Sequence, residues 1–300
     1  MVTALQRDTV NAAYLAWLFD GAAQAGPDAG AAEAQVLDQL NAILSSQQSG
    51  SALVRRMPGV IPQLLQSLRS DDFSGAQLAR TISNDVVLVA AVLRAANSVV
   101  RGAGSRITSV EHAVIAIGQE GLRHLITSVS FRSIMDMQSG HYTRHLAPRI
   151  WDQSERCAEA NRSLAATYGI APFEALLAGL VQNVGLIVTL RVMDQAAKNE
   201  RALGSEPFTT RLVRDARTLT CSIGREWHFP DKVVTAIAEQ AGVRAGVAMS
   251  PLGRLLALTD YLSKLRQLDD AGRLPGTRDA LLAGLPAVAL TCYDELNPVA

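Results

Sequence analysis

Two short segments carry residue types and spacings that could support chemistry. Gln182 and Asn183 are adjacent amides near the end of the apolar segment 175–185, and each can donate and accept hydrogen bonds. Neither supplies the imidazole or the negative charge that a divalent-metal site uses. His141 and His145 are four residues apart, so a continuous helix would present them on one face as a two-histidine metal clip. Because no third ligand is evident, solvated histidines in a connection between lobes are the alternative interpretation.

No other sequence pattern indicates a catalytic group. The chain has no GxSxG nucleophile elbow, no Walker phosphate loop and no GxGxxG dinucleotide motif. Its three cysteines are far apart and lack CxxC spacing, which is typical of a reducing compartment. Cys157 lies between apolar neighbours, and we expect a core residue there instead of a nucleophile. The sequence therefore predicts no cofactor and no metal ligand set.

The bulk composition is that of an ordinary globular protein. The 300 residues are 48% hydrophobic and 19% charged, which is enough to bury a substantial core. The formal net charge is zero, so no electrostatic excess favours nucleic acid or an anionic membrane. The N-terminus has no signal-peptide pattern, and we expect no membrane span. These features predict a cytoplasmic protein.

Apolar residues recur at helical spacing along nearly the whole chain, which predicts an all-α fold. Residues 1–52 are predicted to form a separate segment of helices and a polar linker. If nothing covers it, the first helix would expose an aromatic cluster that includes Tyr14 and Trp17, suited to docking a partner or to dimerisation. Packing of this helix against the main domain is the alternative.

Helix boundary signals recur in the second half of the chain. A long helix is predicted from about residue 146 to Gly169, because glycine suits a left-handed helix end. Pro172 can open the next helix, and Ser250 is a plausible N-cap. Further helices are expected at 212–227, 233–240 and 250–262, and residues 265–300 are expected to pack back as a helical tail.

The order of short motifs resembles the HDOD family, a bacterial signalling-output domain related to the HD phosphohydrolases. In the first half the matching segments are PGVI at 58–61, ISND at 82–85, LRAANS at 93–98 and ITSV at 107–110, with Leu122-Arg123. In the second half they are Trp151 with Ser154, AGL at 178–180 and WHFP at 227–230. Val86 stands where the family often has proline, and both residues can enter a helix. The match covers about residues 55–262.

This resemblance implies a multi-helix HDOD fold with an N-terminal helical lobe, at about 53–140, and a degenerate HD-like lobe, at 141–265. The flanking regions would be the N-terminal segment 1–52 and a C-terminal helical extension at 266–300, packed on the domain.

The departures from the resemblance lie in the HD-like lobe. Gln153 stands where active HD relatives have a histidine, and Gln182-Asn183 replace the His-Asp pair. Gln240 stands where another histidine can occur, whereas Asp260 matches a distal aspartate and is retained. A single carboxylate among neutral amides should bind a divalent ion poorly. The amides either line a remnant pocket for a ligand or close an internal hydrogen-bond network.

The resemblance implies a regulatory role, and the leading hypothesis is a non-catalytic signalling module that binds a protein partner of unknown identity. A sensor that binds a nucleotide-like effector in the remnant pocket is the alternative, and residual metal-dependent phosphohydrolase activity is a third. Six residues are further candidates from the family motifs or the surface: Asn97, Ser98, Arg123, Trp151, Ser154 and Trp227. Asn97 and Ser98 would cap a helix or form a recognition patch, and Arg123 would form an ion pair or bind a partner. The oligomeric state is left open.

Overall fold

The fold is all-α, as the apolar spacing predicted. The computed structural model describes residues 2–19, 30–46, 140–196, 203–242 and 247–296, together with scattered residues between 89 and 128. These residues fall into two compact units, one formed by Met1–Val54 with Gln138–Ala300 and the other by Arg55–Met137. The motif segments 58–61 and 82–85 lie outside the described residues.

The larger unit is built from helices that bury their apolar faces against one another. In chain order they are α1 (Ala4–Leu18), α2 (Ala31–Ser45), α3 (His141–Leu164), α4 (Pro172–Val181), α5 (Val184–Ala196), α6 (Glu206–Glu226), α7 (Asp231–Glu239), α8 (Pro251–Asp270), α9 (Arg278–Leu282) and α10 (Ala287–Glu295). α3 is central, because it packs against α4, α5 and α8. The expected tail is the pair α9 and α10, separated by Gly284, whose φ of 76° ends the first of them.

The beginning of α3 differs from the prediction. The helix starts at His141 instead of about residue 146, because Asp194 of α5 caps it. One Asp194 carboxylate oxygen accepts the backbone N–H of Tyr142 at 2.7 Å, and the other accepts the Thr143 hydroxyl at 2.7 Å. The interpretation of His141 as part of a connection was therefore wrong, since the capped segment is helical.

Three other helix boundaries match the sequence signals, whereas α6 begins at Glu206 instead of residue 212 and α8 continues to Asp270 instead of ending at residue 262. α3 gives way to a short 3₁₀ turn, Ala166–Tyr168, and Gly169 then adopts the left-handed conformation with a φ of 65°. Pro172 occupies the first turn of α4. The Ser250 hydroxyl accepts the backbone N–H of Gly253 at 3.0 Å, so it is the N-cap of α8.

The N-terminal helices belong to the larger unit. α1 packs on α8, and α2 packs on α5 and α6. Tyr14 is 3% exposed and Leu18 is 1% exposed, while the Arg149 guanidinium lies 4.7 Å from the Trp17 ring centroid. The aromatic cluster is therefore largely covered, and packing against the domain is the arrangement that the structure adopts.

A buried carboxylate fixes α2 to the start of α6. Glu33 is 2% exposed, and one of its oxygens accepts the backbone N–H groups of Gly204 and Ser205 at 2.7 and 2.9 Å. These N–H groups precede the first turn of α6, where a helix has free donors and a partial positive charge. The Glu33 carboxylate thus satisfies free N–H donors and offsets the partial positive charge at the N-terminus of α6.

The stretch Pro172–Ala196 is long and apolar enough to be a candidate membrane span, although no span was predicted from the sequence. Its most apolar 18-residue window is 83% buried within the protein. The turn at Gln182 and Asn183 divides it into α4 and α5. Core helices of a soluble protein pass the same test of length and composition.

Two glycines of the apolar segment 175–185 allow close helix packing. A Cβ added at Gly179 of α4 would lie 2.5 Å from the backbone Cα and N of Ala158 in α3. A Cβ at Gly185 of α5 would lie 2.0 Å from the Ala216 carbonyl oxygen in α6. Real Cβ atoms do not approach backbone so closely, so these positions require glycine for a steric reason.

We expect Gly179→Ala to lower the free energy of unfolding by about 1–3 kcal/mol, because α3 and α4 must separate to admit the methyl group. Gly276→Ala is the matched control, since nothing lies within 4 Å of the added Cβ there. Urea unfolding followed by circular dichroism measures both. Equal stability of the two variants would contradict the close α3–α4 packing.

Candidate functional site

Three of the predicted pocket residues meet at one hydrogen-bonded cluster. Gln153 of α3 is fully buried, and its amide nitrogen donates to an Asp260 carboxylate oxygen at 3.0 Å and to the Ser263 hydroxyl at 2.9 Å. The Asn183 amide donates to the Gln153 carbonyl oxygen at 2.5 Å and to the Ser154 hydroxyl at 3.0 Å. The cluster therefore joins α3, α8 and the turn between α4 and α5.

Asp260 also pairs with a lysine that sequence reasoning missed. The Lys264 ammonium donates to the second Asp260 oxygen at 2.7 Å, and these side chains are only 17% and 23% exposed. The same ammonium donates to the Asn11 carbonyl oxygen of α1 at 3.0 Å. The spacing of Asp260 and Lys264, four residues apart on one helix, is the signal that could have found this pair.

The two remaining predicted amides are placed differently. The Gln240 amide donates to the backbone oxygens of Ala236 and Gly253 at 2.8 and 3.0 Å, so it joins the end of α7 to α8. The backbone oxygen of Gln182 accepts the Thr220 hydroxyl of α6 at 3.2 Å. The Gln182 side-chain nitrogen is buried and has no oxygen or nitrogen partner among the described residues, but the Gln182 side chain interacts with the Cys157 thiol, where it acts to lower the pKa.

The family-motif candidates in this unit have packing roles. Trp151 is 5% exposed, and the Ser154 hydroxyl donates to the Ile150 backbone oxygen at 3.0 Å. Trp227 packs edge-on against Phe229, with ring centroids 5.7 Å apart. His228, the next residue of this motif, has a φ of 54° and is exposed.

The Asn97 side chain joins two segments of the smaller unit by hydrogen bonds. Its amide donates to the backbone oxygens of Leu93 and Ile107 at 2.7 and 2.9 Å, and its carbonyl oxygen accepts the Ile107 N–H at 2.9 Å. This geometry corresponds to the capping interpretation. Ser98 and Arg123 lie outside the described residues.

A second buried polar network lies beside Cys157. The Asn161 amide donates to the Ala175 backbone oxygen at 2.9 Å, and its carbonyl oxygen accepts the Thr259 hydroxyl at 2.6 Å. Burial, assisted by the negative charge of Asp260, raises the pKa of the Cys157 thiol to about 12. A thiol in this state is a core group and a poor nucleophile at neutral pH.

The residues around Asp260 do not fit a divalent-metal site. Among the described residues, no group of three or more His, Cys, Asp or Glu side chains is placed to hold a metal ion. The Lys264 ammonium supplies the positive charge beside Asp260. His141 and His145 do share a helix face, with ring centroids 4.6 Å apart, but both are exposed near the start of α3.

Comparison with known proteins gives the family. The HDOD domain profile matches residues 54–243, which is more than half of the chain. The chain belongs to the HDOD family. This membership agrees with the resemblance inferred from the short motifs; Asp260 lies beyond the matched residues, so its place in an HD-type site stays a prediction.

Solved structures share this fold at low sequence identity. A candidate metal-dependent phosphohydrolase from Shewanella amazonensis SB2B matches with a TM-score of 0.60 and 20% identity, covering 89% of this chain and 98% of the other. An HDOD domain protein of unknown function from Geobacter sulfurreducens matches with a TM-score of 0.60 and 16% identity, covering 85% and 88% of the two chains. At such identities the likeness establishes the fold alone.

One curated relative is an uncharacterised protein of Treponema pallidum (strain Nichols), 21% identical over 193 residues. The match covers 61% of this chain and 37% of that protein. The chain therefore spans well under half of the length of this relative.

We expect Asp260→Ala to lower the free energy of unfolding by about 2 kcal/mol, because Gln153 and Lys264 would lose a partly buried acceptor. Asp294→Ala is the control, since Asp294 is 68% exposed and pairs with Arg278 at 3.2 Å at the surface; its cost should stay below about 0.5 kcal/mol. Urea unfolding at pH 7 measures both variants. A cost for Asp260→Ala no larger than for the control would show that the cluster does not stabilise the fold.

We expect alkaline pH to weaken the fold through Cys157. Because burial raises its pKa from 9.0 to about 12, the folded thiol keeps its proton where the unfolded thiol has lost it. Its contribution to stability is thus complete below about pH 9 and is lost as the pH rises towards about 12. Unfolding of wild type and Cys157→Ala should therefore be compared between pH 8 and pH 11. Wild type should lose stability more steeply, and parallel curves would contradict this assignment.

Proposed function

We propose that this chain is a non-catalytic regulatory module of bacterial signalling that acts through contacts with a protein partner in the cytoplasm. In this proposal the HD-type site is a structural hydrogen-bond cluster within an HDOD domain of about residues 53–265. The observation that carries the proposal is the pairing of Asp260 with Lys264 at 2.7 Å. The one retained acidic residue of the site is already neutralised by a cation from its own helix.

The replacements around Asp260 support loss of hydrolysis. A divalent ion would have to displace the Lys264 ammonium and would then meet neutral amides at Gln153 and Asn183. Such amides are weak ligands for most divalent ions. Hydrolysis of a phosphoester by an HD-type site relies on a metal to activate water and to stabilise charge. The surviving side chains offer no substitute, since Gln153 and Asn183 do not titrate near neutral pH.

Retention of the architecture supports a binding role. Gly179 and Gly185 still permit the close helix contacts of the signature, although the His-Asp pair between them is replaced. A family known from a phosphohydrolase-like fold can serve unrelated functions, because function depends on the site and not on the fold. The name of the Shewanella neighbour therefore does not decide the activity of this chain.

We expect purified protein to hydrolyse neither cyclic dinucleotides nor p-nitrophenyl phosphate esters when supplied with Mn²⁺, Mg²⁺ or Fe²⁺. The physical reason is that Lys264 and the amides leave no site for the activating ion. Product release is measured by chromatography, with an active HD-type phosphodiesterase as the positive control.

The parallel variant is Asp260→Asn, which removes the carboxylate charge and keeps an oxygen acceptor for Gln153. Metal-dependent turnover by wild type that falls by an order of magnitude or more in Asp260→Asn would overturn the proposal. Turnover that is equal in both proteins would point to a contaminating enzyme.

A further inference from the structure

A cavity of about 750 Å³ lies beside the Asp260 cluster within the larger unit. Its walls come mainly from α1, α6 and α8, together with the turn that carries Gln182 and Asn183. This volume is in the range of sites that hold small organic molecules. Four apolar side chains form part of the lining: Leu15, Leu186, Ile237 and Ala257.

The charged residues of the lining are mostly basic. Lys264 is neutralised by Asp260, and Arg211 and Arg214 both approach the buried Asp215 carboxylate, at 3.5 and 3.3 Å. The fourth and fifth basic residues, Arg7 and Arg217, have no ion-pair partner among the described residues, and the remaining acidic residue of the lining, Glu206, is exposed. The lining therefore carries five basic and two acidic side chains, and its charge is positive on balance.

Arg7 and Arg217 are partly buried in the wall of the cavity. Burial lowers the pKa of both Arg7 and Arg217, and the negative charge of Asp260 acts on each of them in the opposite direction. Both arginines line the cavity together with Asp260. A desolvated guanidinium group is costly unless an anion or an acceptor compensates it.

Unpaired hydrogen-bonding groups converge on the same cavity. Three buried polar atoms of lining residues lack an oxygen or nitrogen hydrogen-bond partner within the described chain: Arg7 Nε, the Tyr14 hydroxyl and Gln182 Nε2. Tyr14 is itself only 3% exposed. Buried donors are nearly always satisfied in folded proteins. Two of these atoms are donors only and the third can donate, so the complementary ligand is rich in acceptors.

We propose that this cavity binds a phosphorylated small molecule of nucleotide size, with Arg7 and Arg217 recognising the phosphate and the Gln182 amide donating to the ligand. A phosphate monoester carries about two negative charges at neutral pH, which suits a lining with more basic than acidic side chains. Guanidinium groups also present forked donors that suit phosphate oxygens. The apolar wall accommodates an uncharged ring or chain, and the ion pair with Lys264 offsets the repulsion between Asp260 and the phosphate.

This site goes beyond the proposed function and would make the regulatory module responsive to a metabolite. Arg7 belongs to α1 and Arg217 to α6, so one bound phosphate would bridge the N-terminal helix to the body of the unit. A chain that bound no phosphate would still be a non-catalytic module, and a chain that hydrolysed its ligand would still have the site. The two proposals therefore fail separately.

Isothermal titration calorimetry of the full chain tests the site with AMP, cyclic di-GMP and inorganic pyrophosphate. Adenosine and citrate are the unphosphorylated controls. We expect at least one phosphorylated probe to bind with a Kd below about 100 µM, a typical small-molecule affinity, and both controls to bind at least tenfold more weakly. Chromatography of the recovered probe shows whether it remains intact.

The charge variants are Arg217→Gln and Arg7→Gln, which lie on different helices, with Arg225→Gln as the matched control. Arg225 is exposed on α6 and does not line the cavity. We expect each cavity variant that keeps the wild-type circular dichroism spectrum to weaken the bound probe at least tenfold, while Arg225→Gln binds as wild type does.

Three results would overturn this site: no phosphorylated probe binding at 1 mM, citrate binding as tightly as the phosphates, or wild-type affinity in both cavity variants. Should one cavity variant fail to fold, the other decides, since they remove the same charge from separate elements.

Discussion

The ion pair between Asp260 and Lys264 is the interaction on which the rest of the site depends. A carboxylate that is largely removed from water must be neutralised or hydrogen-bonded to be tolerated. Here the compensating charge comes from the same helix, at 2.7 Å. With one Asp260 oxygen held in this way, the other can accept the Gln153 amide, whose carbonyl oxygen is thereby turned towards Asn183. A chain of polar contacts then connects α8, α3 and the α4–α5 turn.

The same lysine explains why α1 belongs to the larger unit. Its ammonium reaches Asn11 at 3.0 Å and lies 5.6 Å from the Tyr14 ring centroid. Arg149 of α3 adds a second attachment, because it donates to the Trp17 backbone oxygen at 3.0 Å and lies over the Trp17 ring. The aromatic residues of α1 are thus covered by basic side chains of α3 and α8. The N-terminal segment is therefore part of the wall of the site.

Local signals allowed much of the helical framework to be predicted. Contacts between elements that are distant in the sequence could not be predicted in this way. Gly169 marks the end of a helix by its left-handed conformation, and Ser250 marks the start of one as an N-cap. Both signals depend on only a few neighbouring residues. The start of α3 depends on Asp194, some fifty residues away in α5, and no local pattern carries that information. Likewise, the family motif placed Gln153, Asn183 and Asp260 together, but Arg7 and Arg217 come from elements that meet only in the folded chain. The pairing of Lys264 with Asp260 could have been predicted from the sequence, since a spacing of four residues on one helix is a local signal.

The structure separates two interpretations that the sequence alone left as alternatives for all of the amides. The side chains of Gln153 and Asn183 form hydrogen bonds with other protein groups, and the Gln240 side chain does so where it joins α7 to α8. These three amides behave as parts of an internal network, which is what satisfies buried polar atoms. Gln182 differs, because its side-chain nitrogen is buried beside a cavity without an oxygen or nitrogen partner among the described residues. The Gln182 side chain faces the cavity as well as the Cys157 thiol, and in the site that we propose its amide donates to the ligand.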